Sequence, residues 1–195
     1  MRKCSVDLVT GFLSSGKTSF INIFLNKTLR REELIVIQCE DGKVLIDEDL
    51  ERKFNVSVKK FSSSSELNEE RLIRLIKFYK PERMIVECNG VEDITSLVTL
   101  FNSNKLRAYF KLTGIISILD SLTFNMLIKN LSHLIVPCIE RSDLIILNKS
   151  NVISEEVLEK NLGIVKNLNT HAHILVAYDK LDLEKKIIKA KVINA

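Results

Sequence analysis

Eight consecutive residues, Gly11-Phe12-Leu13-Ser14-Ser15-Gly16-Lys17-Thr18, spell the pattern G-x-x-x-x-G-K-T. The chemistry such a run supports is the capture of a chain of phosphates. Glycines let backbone N–H groups turn inward on an anion, and a helix that starts just after them adds its positive end. Lys17 is placed to reach the β- and γ-phosphate oxygens, and the Thr18 hydroxyl to hold Mg²⁺. Gly11, Ser14, Ser15, Gly16, Lys17, Thr18 and Ser19 are therefore the candidate nucleotide-binding residues. The context agrees: Cys4 to Thr10 reads as a β-branched strand, and Ser19-Phe20-Ile21-Asn22-Ile23-Phe24-Leu25 opens a helix. Strand, loop and helix in that order are what separate a phosphate cradle from a glycine-rich turn.

A nucleotide hydrolase needs an acid near the metal and a group that senses the γ-phosphate. Glu87-Cys88-Asn89-Gly90 follows the apolar strand Met84-Ile85-Val86 and offers both. Glu87 is a candidate for the metal shell or for ordering the attacking water. The Gly90 N–H is a candidate γ-phosphate sensor of the kind that moves when the phosphate leaves. A third signal, Asn148-Lys149-Ser150-Asn151, follows the apolar strand 143–147. Guanine-binding proteins carry N-K-x-D at this place, where the aspartate takes two hydrogen bonds from the base. Asn151 offers one carbonyl acceptor and a donor group instead, so charge-assisted bidentate pairing is lost and guanine selectivity falls. Xanthine, with a carbonyl in place of the guanine amine, suits an asparagine better.

The elements that must position these residues are legible as alternating strands and helices. Strands are expected at 3–10, 34–39, 56–61, 84–88, 114–119, 143–147 and 173–177. Most are continuously apolar, as in parallel strands buried on both faces. Segment 56–61 alternates and reads as an exposed edge or an antiparallel hairpin. Helices are expected at 67–79, stopped by Pro81, at 154 onward with Ser154 as cap, at 121–130, and at 182–190. This pattern implies an α/β fold, a doubly wound, mainly parallel sheet flanked by helices, in one domain over 1–195. In such sheets ligands sit beyond the carboxyl ends of the strands, where all three signals fall.

Composition narrows the rest. A 46% hydrophobic chain of 195 residues can bury a core of useful size. The net charge of +4 is mild and its lysines are interleaved with acids, which does not point to nucleic acid. With no apolar run of membrane-span length and no signal peptide, the expected location is cytoplasmic, with no membrane partner. The four cysteines, Cys4, Cys39, Cys88 and Cys138, form neither a CxxC pair nor a disulfide framework. Cys39 and Cys88 each end a parallel strand near the nucleotide site, and read as buried thiols used as small apolar residues rather than as a metal pair. His171-Ala172-His173 lacks the three or four ligands a metal site wants, and His133 reads as packed within an apolar helix. Asp120 reads as a strand-end residue ordering the Mg²⁺ loop or as a helix cap.

Taken together, these segments resemble the CobW/HypB/UreG group of P-loop GTPases (SIMIBI-like), and most of all its CobW-like metallochaperones. The family's G-F-L-G-x-G-K-T-T is similar to Gly11 through Ser19, and its N-E-F-G-E-x-x-I-D to Cys39-Glu40-Asp41-Gly42-Lys43-Val44-Leu45-Ile46-Asp47. Its E-T-S-G resembles residues 87–90, its V-V-D residues 118–120, its L-N-K-x-D residues 147–151, and its L-N-P-x-A-x-I residues 168–174. The resemblance implies GTP and Mg²⁺ as cofactors and slow hydrolysis in aid of metal or cofactor insertion. It adds Glu40 as a catalytic and Asp41 as a metal-shell candidate beside Lys17, Glu87 and Gly90. It also implies a client, a metalloenzyme or a corrinoid protein, and a nucleotide-dependent homodimer. The family's C-x-C-C metal signature is replaced by Ser62-Ser63-Ser64-Ser65, so no transition-metal site is expected. A separate C-terminal domain of the CobW type is likewise not expected. Two rival readings stay open: a nucleotide-gated binding module with negligible turnover, and a P-loop small-molecule kinase.

Overall fold

A computed structural model describes residues 3–28, 33–39, 45–47, 49–50 and 55–190. Seven strands form one all-parallel sheet: β1 (Cys4–Thr10), β2 (Leu34–Gln38), β3 (Val56–Lys60), β4 (Arg83–Glu87), β5 (Phe110–Asp120), β6 (Leu144–Asn148) and β7 (His173–Val176). Their spatial order is β3-β2-β4-β1-β5-β6-β7. The helices are α1 (Lys17–Thr28), α2 (Glu69–Tyr79), α3 (Ile94–Phe101), α4 (Phe124–Asn130), α5 (Ser132–Glu140), α6 (Glu155–Leu168) and α7 (Lys180–Ala190).

The continuous apolar runs are explained by burial on both faces. Val9, Val36, Ile85 and Ile118 pack against Phe20, Phe24, Leu183 and Ile187 on one face. Their neighbours Leu8, Ile35, Ile37, Met84 and Val86 meet Leu72, Ile76, Leu97 and Phe101 on the other. Leu119, Ile145 and Leu147 close on Phe124, Ile139 and Val165. Alternate residues of each strand thus serve opposite layers, the geometry of a doubly wound sheet.

Local chemistry sets the helix ends. Asn68 accepts from the Arg71 N–H to start α2, and Lys80 in the left-handed region ends it. This helix begins at Glu69, later than the periodicity predicts, because Ser64–Glu66 forms a 3₁₀ turn first. Ser154 caps α6 as expected. The β3 strand is an edge but not a hairpin: it runs parallel to β2, from Leu34↔Val56 to Gln38↔Lys60. The β5 strand starts at Phe110 rather than 114, because polar Lys111 and Thr113 lie on its less buried half.

At the amino end of β1 a bulge between Val6 and Asp7 inserts an extra residue on β5. Thr113, at this irregularity, donates from Oγ1 to Asp7 Oδ1 at 2.8 Å. The other Asp7 oxygen accepts from Arg83 at 2.6 Å, and both side chains are buried. Removing one partner of such a pair leaves an uncompensated charge in the core. Arg83→Met should therefore lower the stability read by urea unfolding by roughly 3–5 kcal/mol, and an unchanged midpoint would contradict the account.

Candidate functional site

The site is built at the carboxyl edge of the sheet, where β1, β4, β2 and β6 end in polar residues. Between β1 and α1 the chain turns through Gly11 at φ 140°, Ser14 at φ 63° and Gly16 at φ 110°. A Cβ on Gly11 would stand 2.1 Å from the Ile118 carbonyl, and one on Gly16 would stand 2.5 Å from Asn148 Nδ2. Only glycine fits at either place. The turn leads directly into α1, so the positive end of the helix faces the mouth of the loop.

Lys17 is buried, and its Nζ donates to the carbonyls of Gly11 (2.7 Å) and Phe12 (3.2 Å), so the ammonium lies folded beneath the loop. Thr18 donates from Oγ1 to Glu87 Oε1 at 2.5 Å. The second Glu87 oxygen accepts from Gln38 Nε2 at 2.8 Å. The parallel register makes this cluster: Gln38 pairs with Glu87 across β2 and β4, and Val9 pairs with Glu87 across β1 and β4. Glu87 is buried, so each of its oxygens needs a donor, and each has one. Gly90 lies directly on the loop, where a Cβ would stand 2.4 Å from the Gly11 carbonyl and 2.6 Å from Phe12 Cα. The Ser15 hydroxyl is buried and has no hydrogen-bond partner, a polar group that an anion in the loop would satisfy. Ser19 is half-buried, one residue further along α1.

The second lobe of the site is tied to the first by two hydrogen bonds, one from Asn148 and one from Lys149. Asn148 Nδ2 donates to the Ser15 carbonyl at 2.8 Å. Lys149, itself at φ 58°, donates to the Ser14 carbonyl at 2.7 Å and to Asp120 Oδ2 at 2.6 Å. Ser150 donates from its N–H and Oγ to the Ala177 carbonyl, both at 3.0 Å, joining this loop to the β7–α7 turn. Asn151 is exposed. Asp120 is not the cap of α4, which starts at Phe124; it anchors Lys149 and accepts the Leu122 N–H at 3.0 Å.

The structure thus brings together Gly11, Ser14, Ser15, Gly16, Lys17, Thr18, Glu87, Gly90, Asn148 and Lys149. Glu40 and Asp41 lie outside the described residues. Gln38 is the functional candidate the sequence reading missed; its signal was a single polar side chain closing the otherwise apolar run Leu34-Ile35-Val36-Ile37. Cys39 and Cys88 are indeed neighbours, the pair that follows Gln38↔Glu87, and burial makes them inert. Burial pushes the Cys39 thiol up to about 11 and raises Cys88 well above the usual thiol range. His133 is exposed rather than packed, and His171 and His173 are exposed as well. Among the described residues no group of three or more His, Cys, Asp or Glu side chains could hold a metal ion. Among them, too, no helix is long and apolar enough to cross a membrane.

A parallel sheet with a glycine-rich loop, a buried lysine and a threonine–glutamate pair at its carboxyl edge defines a P-loop nucleotide-binding protein. Residues 5–176 match the family described as CobW/HypB/UreG, nucleotide-binding domain, and the chain belongs to it. It is 24% identical over 229 residues to the zinc-regulated GTPase metalloprotein activator 1 of Dictyostelium discoideum, covering 95% of this chain and 48% of that protein. It is 29% identical over 133 residues to the zinc chaperone YjiA of Escherichia coli (strain K12), covering 62% of this chain and 42% of that one. The chain therefore spans about half the length of the relatives it matches. The crystal structure of Zn(II)-bound YjiA GTPase from E. coli superposes with a TM-score of 0.70 at 24% identity, covering 89% of this chain and 57% of that one.

Two glycine substitutions separate the site from the scaffold. Gly90→Ala should lower both the melting temperature and nucleotide affinity, because its Cβ meets backbone of the loop. Gly163→Ala, in α6 with nothing within 4 Å of a Cβ, should raise stability by about 1 kcal/mol. Equal melting shifts for the two would contradict this geometry.

Proposed function

We propose that the chain is a GTP-binding protein that hydrolyses its nucleotide slowly with Mg²⁺, in the service of metal or cofactor insertion into a client protein. The observation that carries this is the buried Thr18–Glu87–Gln38 chain beneath the glycine loop. The orphaned Ser15 hydroxyl and the glycine positions that admit no Cβ fit a phosphate chain. Thr18 and Glu87 form a hard oxygen pair that fits Mg²⁺. Bound there, the ion neutralises phosphate charge, which is most of what phosphoryl transfer needs.

The roles follow from placement. The loop N–H groups and Lys17 hold the phosphates, with Lys17 exchanging its two carbonyls for phosphate oxygens. Glu87 accepts from water or orders the metal shell. Gln38, a positioning residue, keeps the carboxylate aimed through its amide N–H. Gly90, in contact with Gly11 and Phe12, registers whether the γ-phosphate is present. Asn148 and Lys149 hold the base loop against the phosphate loop, and Asn151 faces the base.

The metal-insertion half of the reading comes from relatives named as a zinc chaperone and a zinc-regulated metalloprotein activator. The client belongs to the same proposal, as do a nucleotide-dependent homodimer and a cytoplasmic setting. A second reading, a nucleotide-gated binding module with negligible turnover, is favoured by one observation: Thr18 and Gln38 already occupy both oxygens of Glu87.

Phosphate release and GTP affinity decide between them. The native chain should release phosphate with Mg²⁺, and Lys17→Ala should lose about 100-fold or more of kcat/KM. Gln38→Leu should lower kcat about tenfold with KM little changed, since it disturbs Glu87 alone. Gln38→Glu should also lower kcat, because it sets an acceptor where Glu87 now has a donor at 2.8 Å. Tight GTP binding with no phosphate released would establish the binding module instead.

A further inference from the structure

A groove of about 730 Å³ lies between α2 and the end of β3, beside the edge of the sheet, and is lined by none of the residues of the glycine loop. Its floor is Phe61, Leu75, Phe78 and Tyr79, and Arg71, Arg74 and Lys77 rise around it. The helix α2 explains this arrangement. Leu72 and Ile76 turn into the core, so Arg71, Arg74, Lys77 and Phe78 face solvent. Phe78 is 78% exposed and contributes little burial to the fold. Its ring meets Tyr79 edge-on at 4.7 Å, which holds both in place.

The charge around the groove has one sign in excess. Lys59 of β3 joins the three helix cations, placing its ammonium 4.7 Å from the Tyr79 ring centre. Among the described residues two acids pair with these cations. Glu66 pairs with Arg71 at 2.9 Å. Glu70 meets Arg74 only at 3.9 Å, with both side chains more than 80% exposed, a contact that holds neither in place. Lys77 makes no ion pair among the described residues. Beside the groove, β3 is the terminal strand of the sheet, and no described strand pairs with its outer edge. An unpaired edge accepts an extended peptide through main-chain hydrogen bonds.

We propose that this groove docks an acidic peptide segment of a partner protein, extended along β3, with apolar side chains seated on Phe78 and Leu75 and carboxylates on Arg74, Lys77 and Lys59. Exposed aromatic and arginine side chains around an apolar floor are the composition of an interface core. The cation excess selects an acidic partner and speeds its encounter. Single-stranded nucleic acid is disfavoured by the rings themselves. The Arg71 guanidinium lies 5.8 Å from the Phe61 ring centre, and Lys59 covers Tyr79, so two of the three aromatic rings already carry a cation where a base would stack.

The test is a phage-displayed library of random 12-residue peptides selected on the full chain, with enriched sequences synthesised, fluorescently labelled and titrated by anisotropy. Acidic sequences with apolar anchors should emerge. Their affinity should fall about tenfold or more in Arg74→Glu/Lys77→Glu and, separately, in Phe78→Ser, and should weaken as salt rises. All three side chains are exposed, so the variants should keep the native melting temperature and GTP affinity. That control makes failure here distinct from failure of the nucleotide reading. Enrichment of neutral or basic sequences, or equal binding by the variants, would overturn the proposal. So would a labelled oligothymidylate that competes for the groove, or self-association of the chain that Phe78→Ser abolishes.

Discussion

The structure depends on holding two opposite charges, Lys17 and Glu87, out of water at one edge of a parallel sheet. Both are nearly inaccessible, at 3% and 2% relative exposure. An ionised side chain so placed costs several kcal/mol unless every donor or acceptor it carries is met. Two loop carbonyls meet the lysine, and a hydroxyl and an amide meet the glutamate. These partners come from the loop after β1, from α1 and from β2, and the β2-β4-β1 strand order brings them to Lys17 and to Glu87 of β4. The sheet topology is thus a requirement of the site as much as a consequence of apolar burial.

That constraint clarifies what the nucleotide would change. The ammonium is satisfied by its own loop and Thr18 by Glu87, so the described state is self-consistent. A phosphate chain would enter by exchanging partners, Lys17 and Thr18 releasing the groups they now meet. The buried, unpartnered Ser15 hydroxyl is the one loop side-chain group with a partner still to gain. Gly90, touching Gly11 and Phe12, sits where such an exchange would be felt first. The second lobe follows rigidly, because Asn148 and Lys149 are bonded to the Ser15 and Ser14 carbonyls.

Much of this was legible in the residues, for physical reasons. Continuous apolar runs mark strands buried on both faces, and all seven were found at nearly their observed positions. The G-x-x-x-x-G-K-T run declares itself because glycine is forced at Gly11 and Gly16. What escaped notice was what depends on neighbours distant in sequence. Gln38 becomes meaningful only when β2 and β4 pair and set it against Glu87. Asp120 is understood only through Lys149, 29 residues away. His133 looked packed because its neighbours are apolar, yet the helical period turns it to solvent. The parallel sense of β3 could not be read from its own alternation, since edge position alone accounts for the polar side chains.

The measurement that bears most directly on the account is competitive displacement of a fluorescent guanine nucleotide by GTP, XTP and ATP, with and without Mg²⁺. The account predicts Mg²⁺-dependent binding of a purine carrying a carbonyl at the six-position, with XTP gaining on GTP because Asn151 stands where an aspartate is usual, and with ATP excluded. Binding of ATP alone would contradict it and transfer the site to a kinase. Failure of all three nucleotides to bind would show that Lys17, Glu87 and the glycine loop hold only each other.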